Sequence, residues 1–337
     1  MNSPSSENRG RSAQVPSEIP RKGWRDILLR TLRRIGRDNL ALVSAGIAFN
    51  AMLAVFPALV VLLSIYGLFS SPAGVAAEMR PFFGVLPGDA AQLIQDQLQS
   101  ITSRPVMTLG VGAVVSLAVA MWSSTQGMVA LTSAMNIAYR ERERRGYLEL
   151  TGIALMFTMG AMVGLLVMLT LGVALPLLLE QLPIGMAAKA LALALRWVLL
   201  WIFAAGSFVL VYRFAPCREN PRWRWVTWGS AVGATLWLAI GLLFALYVRN
   251  FASYGQTYGA LAGVMVLLMW FYIASFAVVL GAVLDAEMEH QTAVDTTTGA
   301  PAPMGQRGAY VADTLGPIPG GRPRSETQRS ASPSSDR

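Results

Sequence analysis

One histidine and one cysteine among 337 residues leave this chain poorly supplied with the side chains of metal and nucleophile chemistry. A catalytic zinc takes about three protein ligands, a serine triad needs a placed imidazole, and a lone Cys217 closes no intrachain disulfide. No G-x-x-x-x-G-K-[ST] run offers a phosphate cradle. Charge is scarce too: 14% of residues are charged and 54% hydrophobic, with mean hydropathy +0.48. The middles of the long apolar runs hold no Asp, Glu or His, so a carboxylate-based proton or sodium relay across them lacks its parts. These shortages predict a protein that is not an enzyme and that carries no cofactor or metal. No internal repeat stands out, so an inverted-repeat transporter architecture has no support.

What the chain does have is length of apolar sequence. A bilayer core of about 30 Å takes roughly 20 residues of helix. Six segments meet that: about 40–69, 106–138, 150–179, 190–212, 226–248 and 259–284. A barrel would instead show ~10-residue alternating strands. The predicted fold is all-α, a polytopic membrane protein with a six-transmembrane-helix bundle over 39–289. The hydrophilic first 38 residues do not read as a cleavable signal. Residues 1–19 and 290–337 have the composition of disordered tails. Between the first tail and the bundle, 20–38 reads as a basic interfacial helix with Trp24, Ile27, Leu28, Leu32 and Ile35 on one stripe. Residues 71–104 read as a short helical external loop, two amphipathic stretches turning at "GVLPGD" and capping the bundle.

Basic residues set the expected orientation. Of the 27 Lys and Arg, nine precede residue 39, four lie in 140–146, four in 213–224 and five beyond 290. Arg80, Arg104, Lys189 and Arg249 fall on the other side, and Arg196 within a span. The positive-inside rule then puts both termini in the cytoplasm. The net charge of +8 needs no nucleic acid; it suits insertion and the anionic headgroups that the N-terminal helix would meet.

The polar residues inside the spans are the candidate site. Asn50 should point into the bundle, because lipid satisfies neither its donors nor its acceptor. Pro57 removes a backbone hydrogen bond and is the candidate hinge. Ser123, Ser124, Gln126 and Asn136 should turn toward protein in the second span. Arg196, in "LALALRWVLLWIFAAG", is expected either to snorkel to headgroups or to attract an anion. Arg196, Asn50, Gln126 and Asn136 are thus the substrate-path candidates. Tyr254, Tyr258, Trp270 and Tyr272 read as interfacial belt and packing. Gly160 and Gly164, Gly229 and Gly233, and Gly259 and Gly263 form G-x-x-x-G pairs that suit a compact bundle or a homo-oligomer.

Several stretches carry a likeness. "SAGIAFNAMLAVFPALVVL", "MWSSTQGMVALTSAMNIAY", "VYRFAP" and "YGQTYGALAGVMVLLMWFYIASFAVVLGAVLDAE" resemble the YihY/BrkB family of bacterial inner-membrane proteins, once labelled ribonuclease BN. The resemblance covers about residues 25–289. It implies six helices and an inner-membrane location, with envelope or lipid transport proposed for the family. Two departures stand out: Asn50 replaces the usual aromatic, and "GAVLDAE" replaces the common Gly-Ala-Glu-Leu-Asn run, moving the acidic position to Asp285. The expectation is a transporter or flippase-like protein for an anionic or amphiphilic envelope molecule. A membrane scaffold or envelope-assembly factor is the alternative, and a membrane-associated ribonuclease a weaker one.

Overall fold

The computed structural model describes residues 9–67, 106–183, 185–250 and 261–319. Among them the regular structure is helical, with one isolated bridge pairing Pro221 and Thr297. After a single 3-10 turn at Pro16–Glu18 come α1 (Arg21–Arg37), α2 (Leu40–Gly67), α3 (Val106–Tyr139), α4 (Tyr147–Leu169), a π-turn (Thr170–Ala174) and α5 (Leu175–Gln181). Then follow α6 (Met186–Phe214), α7 (Trp223–Asn250), α8 (Leu261–Glu289) and the short α9 (Tyr310–Asp313). The expected external helices of 71–104, and Tyr254, Tyr258 and Gly259, lie outside the described residues.

Among the described residues, four segments, 147–172, 186–214, 223–249 and 263–289, are long and apolar enough to cross a membrane. Their surfaces agree with that. Leu166, Leu195, Ile202 and Leu243 are all more than half exposed, whereas Arg34, Glu287 and Glu289 are at most 2% exposed. A water-soluble fold distributes these residues the other way, and lipid is the solvent that rewards the inversion.

The helices start and stop for local reasons. Gly146 and Gly185 precede α4 and α6 in extended conformation. Asn39 turns the chain from α1 into α2 at φ 50°, a left-handed position that Asn tolerates better than most residues. Arg140 ends α3 at φ 60°, and the N–H of Glu141 reaches back to the carbonyl of Asn136 at 2.8 Å. That is the Schellman closure, normally made with Gly.

The most extensive pairings are α2 with α3, α7 with α8, and α8 with α2, so α8 is the central helix. Glycines set its approach to α7. A Cβ on Gly281 would lie 2.9 Å from the Cα of Gly233, so neither helix could carry a side chain there. Leu40, Met135, Tyr139, Phe208, Tyr212, Val279 and Val283 pack as one core where the N-terminus of α2 meets the C-termini of α3, α6 and α8.

The stretches read as tails are largely built into this end. Residues 9–19 and 290–319 pack against α1 and α8, correcting the expectation of disorder for those residues. Thr292 Oγ1 donates to the carbonyl of Ala13 at 2.6 Å, and Arg307 donates to the carbonyls of Ala302, Ala312 and Ala293. Asp295 accepts from the backbone of Thr297 and Ala302. Polar side chains saturating backbone groups hold this strap, where composition counts only its missing apolar bulk.

Candidate functional site

Charges gather at the end of the bundle that the strap covers. The C-terminal turns of α8 carry Asp285, Glu287 and Glu289, followed by His290, all at most 2% exposed. At 100° per residue Asp285 and Glu289 share a face and Glu287 takes the opposite one. Acids at a helix C-terminus meet the negative end of its dipole. They therefore need cations, and the structure brings them from elsewhere in the chain.

On one face, Glu287 accepts from Arg30 Nε at 2.5 Å and from Arg34 Nη1 and Arg140 Nη2 at 3.3 Å each. Arg30 also donates to the Glu287 carbonyl, and Arg34 to the carbonyl of Ile137 and to Asp38. The same arginines thus serve both carboxylates and carbonyls at the ends of α8 and α3. His290 sits 3.7 Å from Glu287 and bonds through Nε2 to Thr314 Oγ1 at 2.9 Å. Burial pushes the His290 pKa below its usual 6.5, against the pull of Glu287.

On the other face, Arg218 Nη1 pairs with Glu289 at 2.8 Å while its guanidinium lies 4.1 Å over the Tyr139 ring. Tyr139 in turn donates to Asp285 Oδ2 at 2.6 Å. Gly229 makes the room: a Cβ there would come 1.9 Å from Asp285 Oδ1.

Nearby, Asn136 is 5% exposed and ties two loops together. It donates to Glu143 at 2.8 Å and accepts from the N–H of Cys217 at 2.7 Å. Hydrogen bonds from Arg145 hold Glu143 down to about 2.

The other candidates lie apart. Asn50 bonds to the Gly46 carbonyl of its own helix at 2.9 Å and rests against Gly127 of α3. Gln126 is half-buried on α3, and Ser123 is buried. Pro57 lies within α2, which is one helix from Leu40 to Gly67. Arg196 reaches the Gly172 carbonyl in the π-turn at 3.3 Å and lies 5.2 Å from the Trp197 ring. Arg196 is eighteen residues from Phe214 and Asn136 three from Tyr139, both helix ends at the strapped side. At 1.5 Å per residue the pair is separated by more than ~20 Å along the bundle.

The stripe expected on α1 also needs correction. The buried face is Gly23, Asp26, Ile27, Arg30, Thr31 and Arg34. Leu28 and Leu32 point outward, 51% and 62% exposed. Arg30 and Arg34 attach α1 to the bundle through Glu287, together with Ile27, which is fully buried against Trp225, Leu284 and Met288.

A second feature is apolar. Between α2, α7 and α8 runs a groove of ≈ 540 Å³, lined by Ala48 and Phe49, Phe244 and Tyr247, and Met265, Met269 and Tyr272 among others. Its size falls within the roughly 300–1,000 Å³ of small-molecule sites. Sequence reading placed Tyr272 in packing and passed over the rest, since each residue alone reads as ordinary span. Among the described residues no three His, Cys, Asp or Glu side chains are grouped to hold a metal.

Comparisons with known proteins agree with the membrane reading. The chain is 28% identical over 258 residues, 72% of its length and 88% of the relative's, to a Bacillus subtilis protein named ribonuclease-like YfkH. It is 25% identical over 277 residues to a UPF0761 membrane protein of Photobacterium profundum, covering 80% and 82% of the two chains. A UPF0761 membrane protein of Pseudomonas aeruginosa is 29% identical over 255 residues, covering 74% and 60%. No solved structure matches. Residues 31–305 match the Virulence factor BrkB family, a span that takes in α2 to α8, the ion-paired end of α8 and the first part of the strap, and the chain belongs to that family of multi-pass membrane proteins.

Proposed function

We propose that this protein is a six-span carrier of an anionic, amphiphilic envelope molecule in the bacterial inner membrane, with both termini and the strapped end in the cytoplasm. The observation that carries this is the groove between α2, α7 and α8. It is apolar and partly open, and it is bounded by helices long and apolar enough to lie in a bilayer. A hydrocarbon chain is the occupant whose chemistry matches such a lining. Charge supports the orientation: α1 exposes Arg21, Lys22, Arg25, Arg33 and Arg37 beside Leu28 and Leu32, a surface suited to an anionic leaflet. The proposed load therefore offers its chain to the groove and its negative headgroup to this basic collar.

The test uses purified protein in liposomes with a headgroup-labelled anionic lipid, following the label's movement between leaflets. Met265→Trp and Met269→Trp fill the groove and should reduce movement to the protein-free level with thermal stability unchanged. Wild-type protein that moves no lipid faster than empty liposomes would overturn the reading, as would filled-groove variants that move it at the wild-type rate.

A non-catalytic scaffold is the second reading, favoured by the strap's exposed Met304, Tyr310, Leu315 and Ile318, each 41–43% exposed. A scaffold would be indifferent to groove filling and sensitive to changes in the strap. Self-association through glycine pairs would draw on Gly160, which faces open space, since Gly229 and Gly233 are filled from within the chain by Asp285 and Tyr212.

A further inference from the structure

Asp285 is a buried carboxylate without a counter-ion. It is 2% exposed and enters no ion pair among the described residues. One side-chain donor reaches it, the Tyr139 hydroxyl at 2.6 Å. The nearby cation is Arg218, and Glu289 already holds it at 2.8 Å. The titratable groups facing Asp285 are Tyr139 from α3, Tyr212 from α6, Arg218 from the segment before α7, and Glu289 one turn along α8. From α7 it meets the bare backbone of Gly229. One guanidinium thus stands between two carboxylates on the same helix face, and like charges in one dry site do not both stay ionised.

A buried carboxylate without a paired cation resolves its desolvation by taking a proton. We infer that Asp285 is a proton-binding site, occupied while the α7–α8 seam is closed and vacated when the seam parts. The seam explains why the two events are linked. Gly229, Gly233 and Gly281 bring the two backbones together, and the Asp285 carboxyl fills the space that a side chain on Gly229 would need. The anion requires water or a guanidinium. Water reaches it when α7 and α8 separate; Arg218 reaches it when the bond to Glu289 breaks. The proton binds the carboxylate oxygen and returns to solvent at the strapped end, so nothing else is consumed. This site goes beyond the carrier reading and stands without it.

The test is infrared difference spectroscopy of the full chain in nanodiscs, titrated across the neutral range. Wild-type protein should show a protonated-carboxyl C=O band that fades with rising pH. Asp285→Asn should lack it. Tyr139→Phe removes a donor that favours the anion, so its band should persist to higher pH, with proton affinity up about tenfold. Absence of the band in wild type would overturn the assignment, and so would its survival in Asp285→Asn. A Tyr139→Phe titration superimposable on wild type would do the same without relying on the Asp285 variant to fold.

Discussion

The two ends of the bundle solve opposite problems. At the strapped end, five pieces of chain meet: residues 9–38, the loop after α3, the loop after α6, the end of α8 and the strap. Nearly every buried charge there is answered by another charge or a carbonyl. Toward the other end the described helices carry few side-chain hydrogen bonds, and several of those, from Asn50, Thr158 and Thr170, return to the same helix. There α2, α7 and α8 part into the groove. The strapped end is fastened by bonds of fixed direction, while the grooved region is held by contacts without direction, which allow helices to shift. An amphiphile carrier would need this division, with one end that holds register and another that admits a chain.

The sharpest way to break the contrast is Glu287→Gln. It leaves Arg30, Arg34 and Arg140 facing a neutral amide in a buried site, a loss of about 3–5 kcal/mol. Hydrogen exchange should rise in α1 and the strap while α4 and α6 keep their protection. Gly229→Ala comes next. Its methyl collides with Asp285, and overpacking of this kind costs about 1–3 kcal/mol, to be read as a lower unfolding temperature that Asp285→Ala partly restores.

Acid should act more gently. The docked strap keeps His290 neutral, with a pKa below 6.5, so its contribution is complete above that pH and is lost as pH falls toward the lowered value. The slope stays under about 1.4 kcal/mol per pH unit. His290→Gln should flatten the pH dependence of exchange at residues 310–316. Smallest is Asn50→Ala, which removes a bond within α2 and should change stability by less than about 1 kcal/mol. A large loss there would show that the grooved region also relies on directed polar bonds.

The helices were legible because span length and hydropathy act locally, within about twenty residues. The ion-paired end was not, since Arg30 and Glu287 are 257 positions apart and no periodicity links them. One signal was available: three acids at alternate positions ending an apolar helix, where its dipole disfavours them. On α1 the stripe was legible only in part: Ile27 packs inward while Leu28 and Leu32 stay exposed, and Arg30 and Arg34 are buried because Glu287 draws them in. The strap misled because its Thr, Asp and Arg residues order it by bonding to backbone, to which composition is blind. Asn136, expected to turn toward protein, is buried and fastens two loops far from Arg196.

Synthesis gives the Arg30–Glu287 pair a further meaning. The ribosome makes α1 first and the end of α8 almost last, so an emerging polypeptide has no Glu287 to receive the Arg30 guanidinium until its last long helix is complete. A chain cut short before residue 287 would display unmatched positive charge at its amino end, marking itself as unfinished.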